Sequence, residues 1–219
     1  MFTNAEFKDF MQKHETEILK NDWAEIYDDL PSYKDVSNLT DFLLNKARIN
    51  PLYYMIEVPV YFAYNLDIPS INIPNNITSI GRWAFYNCSS LTSITIPNSV
   101  TKIDDFAFYG CSSLTSIIIP NNVTNISYGA FSGCSSLTSI TIPNSVTEIG
   151  EWAFCRCSSL TSITIPNSVT KIKSDVFYSC DNLKEIKYTG NQQQWNKLLA
   201  KSRNFANWIR ENKVKVNLL

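Results

Sequence analysis

From Ser70 to Pro74 the chain alternates polar and apolar residues, Ser-Ile-Asn-Ile-Pro, and the alternation returns at Ser93, Ser116, Ser139 and Ser162. In Leu91-Thr92-Ser93-Ile94-Thr95-Ile96 the isoleucines point one way and Ser93 and Thr95 the other. That is the period-two signature of a half-buried strand. Pro97-Asn98 ends the strand, because proline cannot donate to a ladder and asparagine tolerates turn geometry. Val100 and Ile103 dip back into the core, Ala107 and Phe108 follow in a short helical or irregular return, and Cys111 closes the turn. Successive strands are expected to stack in parallel, about 4.8 Å apart.

The unit has a fixed length. Pro74, Pro97, Pro120, Pro143 and Pro166 lie 23 residues apart, as do Phe85, Phe108, Phe131, Phe154 and Phe177, and Cys88, Cys111, Cys134, Cys157 and Cys180. A short fixed period marks a solenoid whose turns bury their apolar faces only by stacking on their neighbours. The five cysteines of one column should form an inward ladder of structural thiols, since a metal site needs ligands converging on one point. Cys155 falls instead in the column of Tyr86, Tyr109, Ser132 and Tyr178 and is expected to face differently from Cys157. Pushing the register back sets Pro51 against Pro74, Phe62 against Phe85 and Asn65 against Cys88. The solenoid is therefore expected over 51–188, with a degenerate first turn at 51–67 and regular repeats over 68–182.

An open-ended solenoid exposes its terminal core, so both ends should be capped. Over 1–50 a helical N-terminal cap is expected: Phe7, Phe10, Met11, His14 and Ile18 share one helical face, and Trp23, Ile26, Tyr27 and Leu30 another. Over 189–219 the pattern predicts a C-terminal cap. Its helix at 192–202 carries Trp195, Leu198 and Leu199, and a last strand alternates Val214, Val216 and Leu218 with Lys213, Lys215 and Asn217.

The unit L-T-S-I-T-I-P-N-S-V-T-x-I-x-x-x-A-F-x-x-C-S-S resembles the 23-residue leucine-rich repeat of the BspA-like class, over about residues 68–188. Tyr188-Thr-Gly-Asn-Gln-Gln-Gln-Trp195 is similar to the Y-T-G-x-x-x-x-W segment that often closes such arrays. The resemblance implies an α/β fold: a right-handed curved solenoid with one parallel β-sheet and a binding role. Many members of the class are surface proteins that adhere to host proteins, and others occur in phage and gut-bacterial genomes.

Charge adds an asymmetry. The net charge is −1, which argues against a general polyanion binder. Residues 1–67 hold 12 acids and 6 bases (−6), residues 68–182 hold 6 and 5 (−1), and residues 183–219 hold 2 and 8 (+6). No secretory signal or membrane-spanning run is visible, so the expected location is cytoplasmic with Met1 as the start, or the cell surface if a leader has been trimmed. Catalytic chemistry finds no foothold: His14 is the one histidine, no hydroxyl has a plausible base partner, and no phosphate-loop, dinucleotide or zinc-protease motif occurs. No catalytic residue, metal or cofactor is assigned.

The expected function is non-catalytic: a protein–protein interaction module, bacterial or phage-encoded and acting on a host factor. The outward strand positions Ser93, Thr95, Ser116, Ile118, Ser139, Thr141, Ser162 and Thr164 should line the concave face where partners dock. Ile118 breaks an otherwise uniform Ser/Thr surface. The second candidate is the acidic, aromatic cap around Trp23, Tyr27, Asp28 and Asp29. The repeats differ most in the return segment, at Arg82, Asp105, Tyr128, Glu151 and Ser174 and the neighbouring Trp83, Phe106, Gly129, Trp152 and Asp175, where large aromatics should be partly exposed. The alternatives are a surface adhesin and a structural protein that self-associates head to tail through its opposite charges. Nucleic-acid binding by the basic tail ranks below these, and no membrane partner is expected.

Overall fold

A computed structural model describes residues 57–58, 63 and 69–219. The helical cap expected over 1–50, with Trp23, Tyr27, Asp28 and Asp29, and most of the degenerate first turn lie outside the described residues. The rest is a parallel β-solenoid. Its longer strands are β2 (Ser70–Asn72), β4 (Ser93–Thr95), β6 (Ser116–Ile118), β8 (Ser139–Thr141), β10 (Ser162–Ile165) and β12 (Glu185–Tyr188), closed by β13 (Lys215–Leu218). Pairing is in register by column: Ser70 opposite Ser93, Ser116 opposite Ser139, Ser162 opposite Glu185.

Beyond the one sheet expected, each turn carries a second, two-residue strand. These are β1 (Glu57–Val58), β3 (Ser79–Ile80), β5 (Lys102–Ile103), β7 (Asn125–Ile126), β9 (Glu148–Ile149) and β11 (Lys171–Ile172), also paired in parallel. The return segment supplies a third set of links: the amides of Trp83, Phe85 and Asn87 donate to the carbonyls of Asp105, Ala107 and Tyr109 one turn on, at 3.1, 2.8 and 2.7 Å. Most turns are thus sewn to the next along both strands and the return segment. Between β4 and β6, and between β5 and β7, ladder pairing lapses. At that seam the substituted side chains take over: Asn122 donates to the Asn98 carbonyl at 2.6 Å and Ser127 to that of Ile103 at 2.6 Å.

The first described turn corrects the sequence register by one residue. Glu57 pairs with Ser79, 22 positions on, and the Ala63 amide donates to the Ala84 carbonyl at 2.6 Å, as Phe85 does to Ala107 one turn later. Ala63 therefore holds the place against Phe85 that the fixed period gives to Phe62. Hydrogen bonding between turns outranks the count of residues when a turn is one shorter.

The core is a set of columns. Phe85, Phe108, Phe131, Phe154 and Phe177 stack face to face, with ring centroids 5.2, 5.5, 5.7 and 5.8 Å apart. The rings are essentially excluded from solvent, and each such burial stabilises by about 2–3 kcal/mol. The cysteines are free, buried thiols. Each of the five in the inward column donates to the carbonyl of the phenylalanine-column residue in the preceding turn: Cys88 to Ala63 at 2.8 Å, Cys111 to Phe85 at 3.1 Å, Cys134 to Phe108 and Cys157 to Phe131 at 3.3 Å, Cys180 to Phe154 at 3.0 Å. Serine and threonine columns do similar work outside the core. Ser99, Ser145 and Ser168 donate to the preceding turn's Ile77, Val123 and Val146 carbonyls at 2.6, 2.6 and 2.8 Å.

The closing elements are two helices and a strand. Helix α1 (Gln192–Lys201) begins at Asn191, whose side chain accepts the Gln194 amide while Gln194 reaches back to the Asn191 amide, a reciprocal capping box. This explains the Tyr-Thr-Gly-Asn-x-x-x-Trp phrase residue by residue. Tyr188 is buried with its ring 5.0 Å from Trp195, and Thr189 accepts the Asn167 amide at 3.0 Å. At Gly190 a Cβ would fall 2.6 Å from the Tyr188 ring. A second helix, α2 (Arg203–Glu211), lays Phe205 and Trp208 on Phe177, with centroids 6.0 and 5.4 Å away.

Two predictions follow from the columns. Phe131→Ala removes a ring stacked on both sides and should cost about 3–5 kcal/mol in urea unfolding; a loss below about 1 kcal/mol would show that the stack carries little of the stability. Burial pushes the Cys111, Cys134 and Cys157 thiols well above their ordinary range and Cys180 from 9.0 to about 12. The folded state holds these protons more tightly, so the resulting stability is complete below the ordinary thiol pKa and is lost as pH rises through the folded values. The urea midpoint should fall between pH 9 and 12, less steeply in Cys180→Ala, and a slope unchanged by that substitution would contradict the assignment.

Candidate functional site

The strand face presents what the alternation predicts. Ser93, Thr95, Ser116, Ser139 and Thr141 are exposed, while Ser162 and Thr164 are half-buried. Among the described residues no hydrogen bond ties these hydroxyls to the array. Ile118 is 75 % exposed and stands alone as a large apolar side chain among them. At the far end Glu185 pairs with Lys187 at 3.5 Å and accepts a hydrogen bond from Asn217. The surface is polar, regular and nearly uncharged.

The return side is different. Trp83, Phe106, Tyr128 and Trp152 form a continuous run of ring contacts, with centroids 6.1, 4.9 and 5.7 Å apart. Tyr109 meets Phe106 edge-on at 5.8 Å and stacks on Tyr86 at 4.8 Å. Trp152 is 41 % exposed and Tyr178 55 %. Charges border the run: Arg82 lies over the Trp83 ring at 4.8 Å and pairs with Asp105 at 2.8 Å. Cys155, in the tyrosine column, is buried beside Ser132, and burial raises its thiol pKa. That column turns inward where its side chains are small.

Backbone geometry sets a cost on three rings of this run. Trp83, Phe106, Gly129, Trp152 and Asp175 occupy one column, and all five are left-handed, with φ of 55, 56, 57, 58 and 55°. The fold imposes that conformation, because it aims the Trp83, Phe106, Gly129 and Trp152 amides at carbonyls of the next turn, at 3.1, 2.8, 2.9 and 3.3 Å. Glycine meets the demand at no steric cost, and Gly129 shows that the array accepts it there. A side-chain-bearing residue costs about 1–2 kcal/mol in this region. Three turns nevertheless hold a Trp or Phe outward. Sequence reading marked the variability of this column; the strain was illegible, because tryptophan announces nothing about φ.

Chemistry of other kinds has little to build on. Among the described residues no group of three His, Cys, Asp or Glu side chains is placed to hold a metal ion. No helix among them is long and apolar enough to cross a membrane.

The BspA-type leucine-rich repeat pattern matches six copies, over residues 57–184 and 107–207. The chain belongs to the BspA-type leucine-rich repeat family. A leucine-rich cell surface protein of Faecalibacterium prausnitzii A2-165 is 37 % identical, with a TM-score of 0.61 over 65 % of this chain and 37 % of its own. The leucine-rich repeat protein of T. pallidum is 28 % identical, with a TM-score of 0.59 over 75 % of this chain and 80 % of its own. A leucine-rich repeat protein of Eubacterium ventriosum is 27 % identical, with a TM-score of 0.56 over 61 % of this chain and 36 % of its own. This chain thus covers little more than a third of the F. prausnitzii and E. ventriosum proteins. Comparison with curated proteins finds no match. BspA-type arrays are binding scaffolds, generally serving protein–protein interaction or surface adhesion, and are typically non-catalytic.

Trp152→Gly exchanges partial ring burial against Tyr128 for relief of the left-handed backbone, so its stability should stay within about 1 kcal/mol of the parent. A loss as large as that of a stacked core phenylalanine would make Trp152 a packing residue instead.

Proposed function

We propose that this chain is a non-catalytic protein-interaction module, and that the aromatic run on its return side is part of the surface its partner meets. The observation that carries the reading is the column of Trp83, Phe106 and Trp152, held outward at a backbone cost that Gly129 avoids in the same column. Backbone strain persists where a side chain is needed, and exposed Trp and Tyr are the commonest anchors of protein interfaces. The strand face of Ser93, Thr95, Ser116, Ile118, Ser139, Thr141, Ser162 and Thr164 is the second contact surface, with Ile118 as its single anchor. The acidic segment around Trp23, Tyr27, Asp28 and Asp29 is the third. The partner is a protein of the host.

Adhesion at a cell surface is the second reading, supported by the likeness to the F. prausnitzii cell surface protein. Head-to-tail self-association rests on the −6 and +6 ends of the sequence.

One comparison separates the surfaces. Tagged parent protein, Phe106→Gly/Trp152→Gly, Ile118→Ser, and the variant with Ala at Trp23, Tyr27, Asp28 and Asp29, all verified as folded, are used to capture protein from host lysate and from isolated host surface. Loss of a stoichiometric partner in the first variant is the expected result. Retention there, with loss in the Ile118 or cap variant, would move the interface off the return side. Capture from the isolated surface alone would select adhesion, and salt-sensitive growth in mass with no captured protein would select self-association.

A further inference from the structure

The short ladder ends at β11, and the chain that follows does not continue it. The corner between α1 and α2 folds over the edge instead, pinned by buried Ser202, whose hydroxyl accepts the Ile172 amide at 2.9 Å. A cleft of about 420 Å³ lies between the edge of the ladder and this corner. Four cations line it: Lys171 and Lys173 from the edge of the ladder, Lys201 and Arg203 from the corner. Glu151 is the one carboxylate in the lining, so the walls carry four positive charges against one negative. Outside the lining, Glu148 shares its two oxygens between Lys171 at 3.8 Å and Lys173 at 3.0 Å. Among the described residues Lys201 and Arg203 have no ion-pair partner. Ser174 and Asn204 add neutral hydrogen-bonding groups, and the first turn of α2 opens on the same space.

We propose that this cleft binds the phosphoryl group of a small soluble ligand. Four cations from two separate elements line one space, and with Glu151 and Glu148 set against them a net positive charge remains, which suits a multiply charged oxyanion better than a single carboxylate. The forked donors of Arg203 suit the tetrahedral oxygens of a phosphoryl group. The cleft is shallow and open to solvent, so it suits a small charged group held by its oxygens and not a large apolar ligand. A nucleic-acid strand or a bilayer needs an extended cationic surface; residues 68–182 sum to −1, so the net positive charge is confined to the closing segment, where residues 183–219 sum to +6. The cleft adjoins the aromatic run at Glu151 and Ser174, the chain neighbour and the hydrogen-bond partner of Trp152, but none of the rings lines it, and the proposal does not rest on the interaction proposed for them.

The test uses the full chain and sodium pyrophosphate as the probe, titrated by calorimetry and thermal unfolding at constant ionic strength. Saturable binding with a rise in Tm is expected. Lys201→Gln/Arg203→Gln should weaken it about tenfold or more, and Lys197→Gln/Lys213→Gln, which removes two exposed cations outside the cleft, should leave it unchanged. If the first pair fails to fold, Glu151→Gln decides, since removing the one lining carboxylate should tighten binding severalfold. No saturable binding at millimolar pyrophosphate, equal weakening by both double variants, or binding only to anionic lipid vesicles or to RNA would overturn the proposal.

Discussion

Everything in this array depends on one backbone requirement: the N–H groups of each turn must meet the C=O groups of the next. A buried amide left unpaired costs about as much as a lost hydrogen bond, so the turns cannot slide. Once the backbone is fixed, identical side chains fall on identical side chains. The phenylalanine stack, the thiol-to-carbonyl bonds and the serine and threonine bonds between turns are consequences. They explain why the polar columns repeat as strictly as the apolar ones. Ser99, Ser145 and Ser168 each satisfy a carbonyl that the strands leave over, and where asparagine replaces serine at Asn122 a different carbonyl is taken.

Much of this was legible in the chain. The alternation around Ile94 and Ile117 located the strands, and the spacing of Phe108 and Cys111 gave the inward columns, because burial leaves its period in the sequence. The second ladder was not legible, since two-residue strands such as Lys102–Ile103 are too short to show any period. Helix α2 was missed although Phe205, Trp208 and Ile209 stand at helical spacing; its signal was hidden by the helix immediately before it. The shortened first turn escaped because a fixed count has no means of detecting one omitted residue. At the surfaces, sequence placed Ser93, Thr95 and Ile118 outward and noticed the variable aromatics. It could not show that Trp83, Phe106 and Trp152 are left-handed, since φ is set by the neighbouring turn and not by the residue. The cleft beside Ser202 was equally hidden, because Lys171 and Arg203 meet only through the way the chain closes.

The molecule therefore divides its tasks by side. The strand face is uniform because its residues satisfy only the sheet. The return side carries individual residues, some at a cost to the backbone, and the closing segment gathers the positive charge. Invariant and varied positions interleave within each 23-residue unit, so a surface residue can change without disturbing its core neighbours.

The lapse in pairing between the turns that begin at Ser93 and Ser116 gives the array a grain. Stacked repeats behave as a chain of nearest-neighbour couplings, and such a chain parts first at its weakest coupling. Here the phenylalanine stack and the thiol bond cross the seam intact while both ladders pause. Pulled along its axis or frayed by heat, the solenoid would come apart as two blocks of unequal length, with the aromatic rings of Phe106 and Tyr128 lying across the line where they separate.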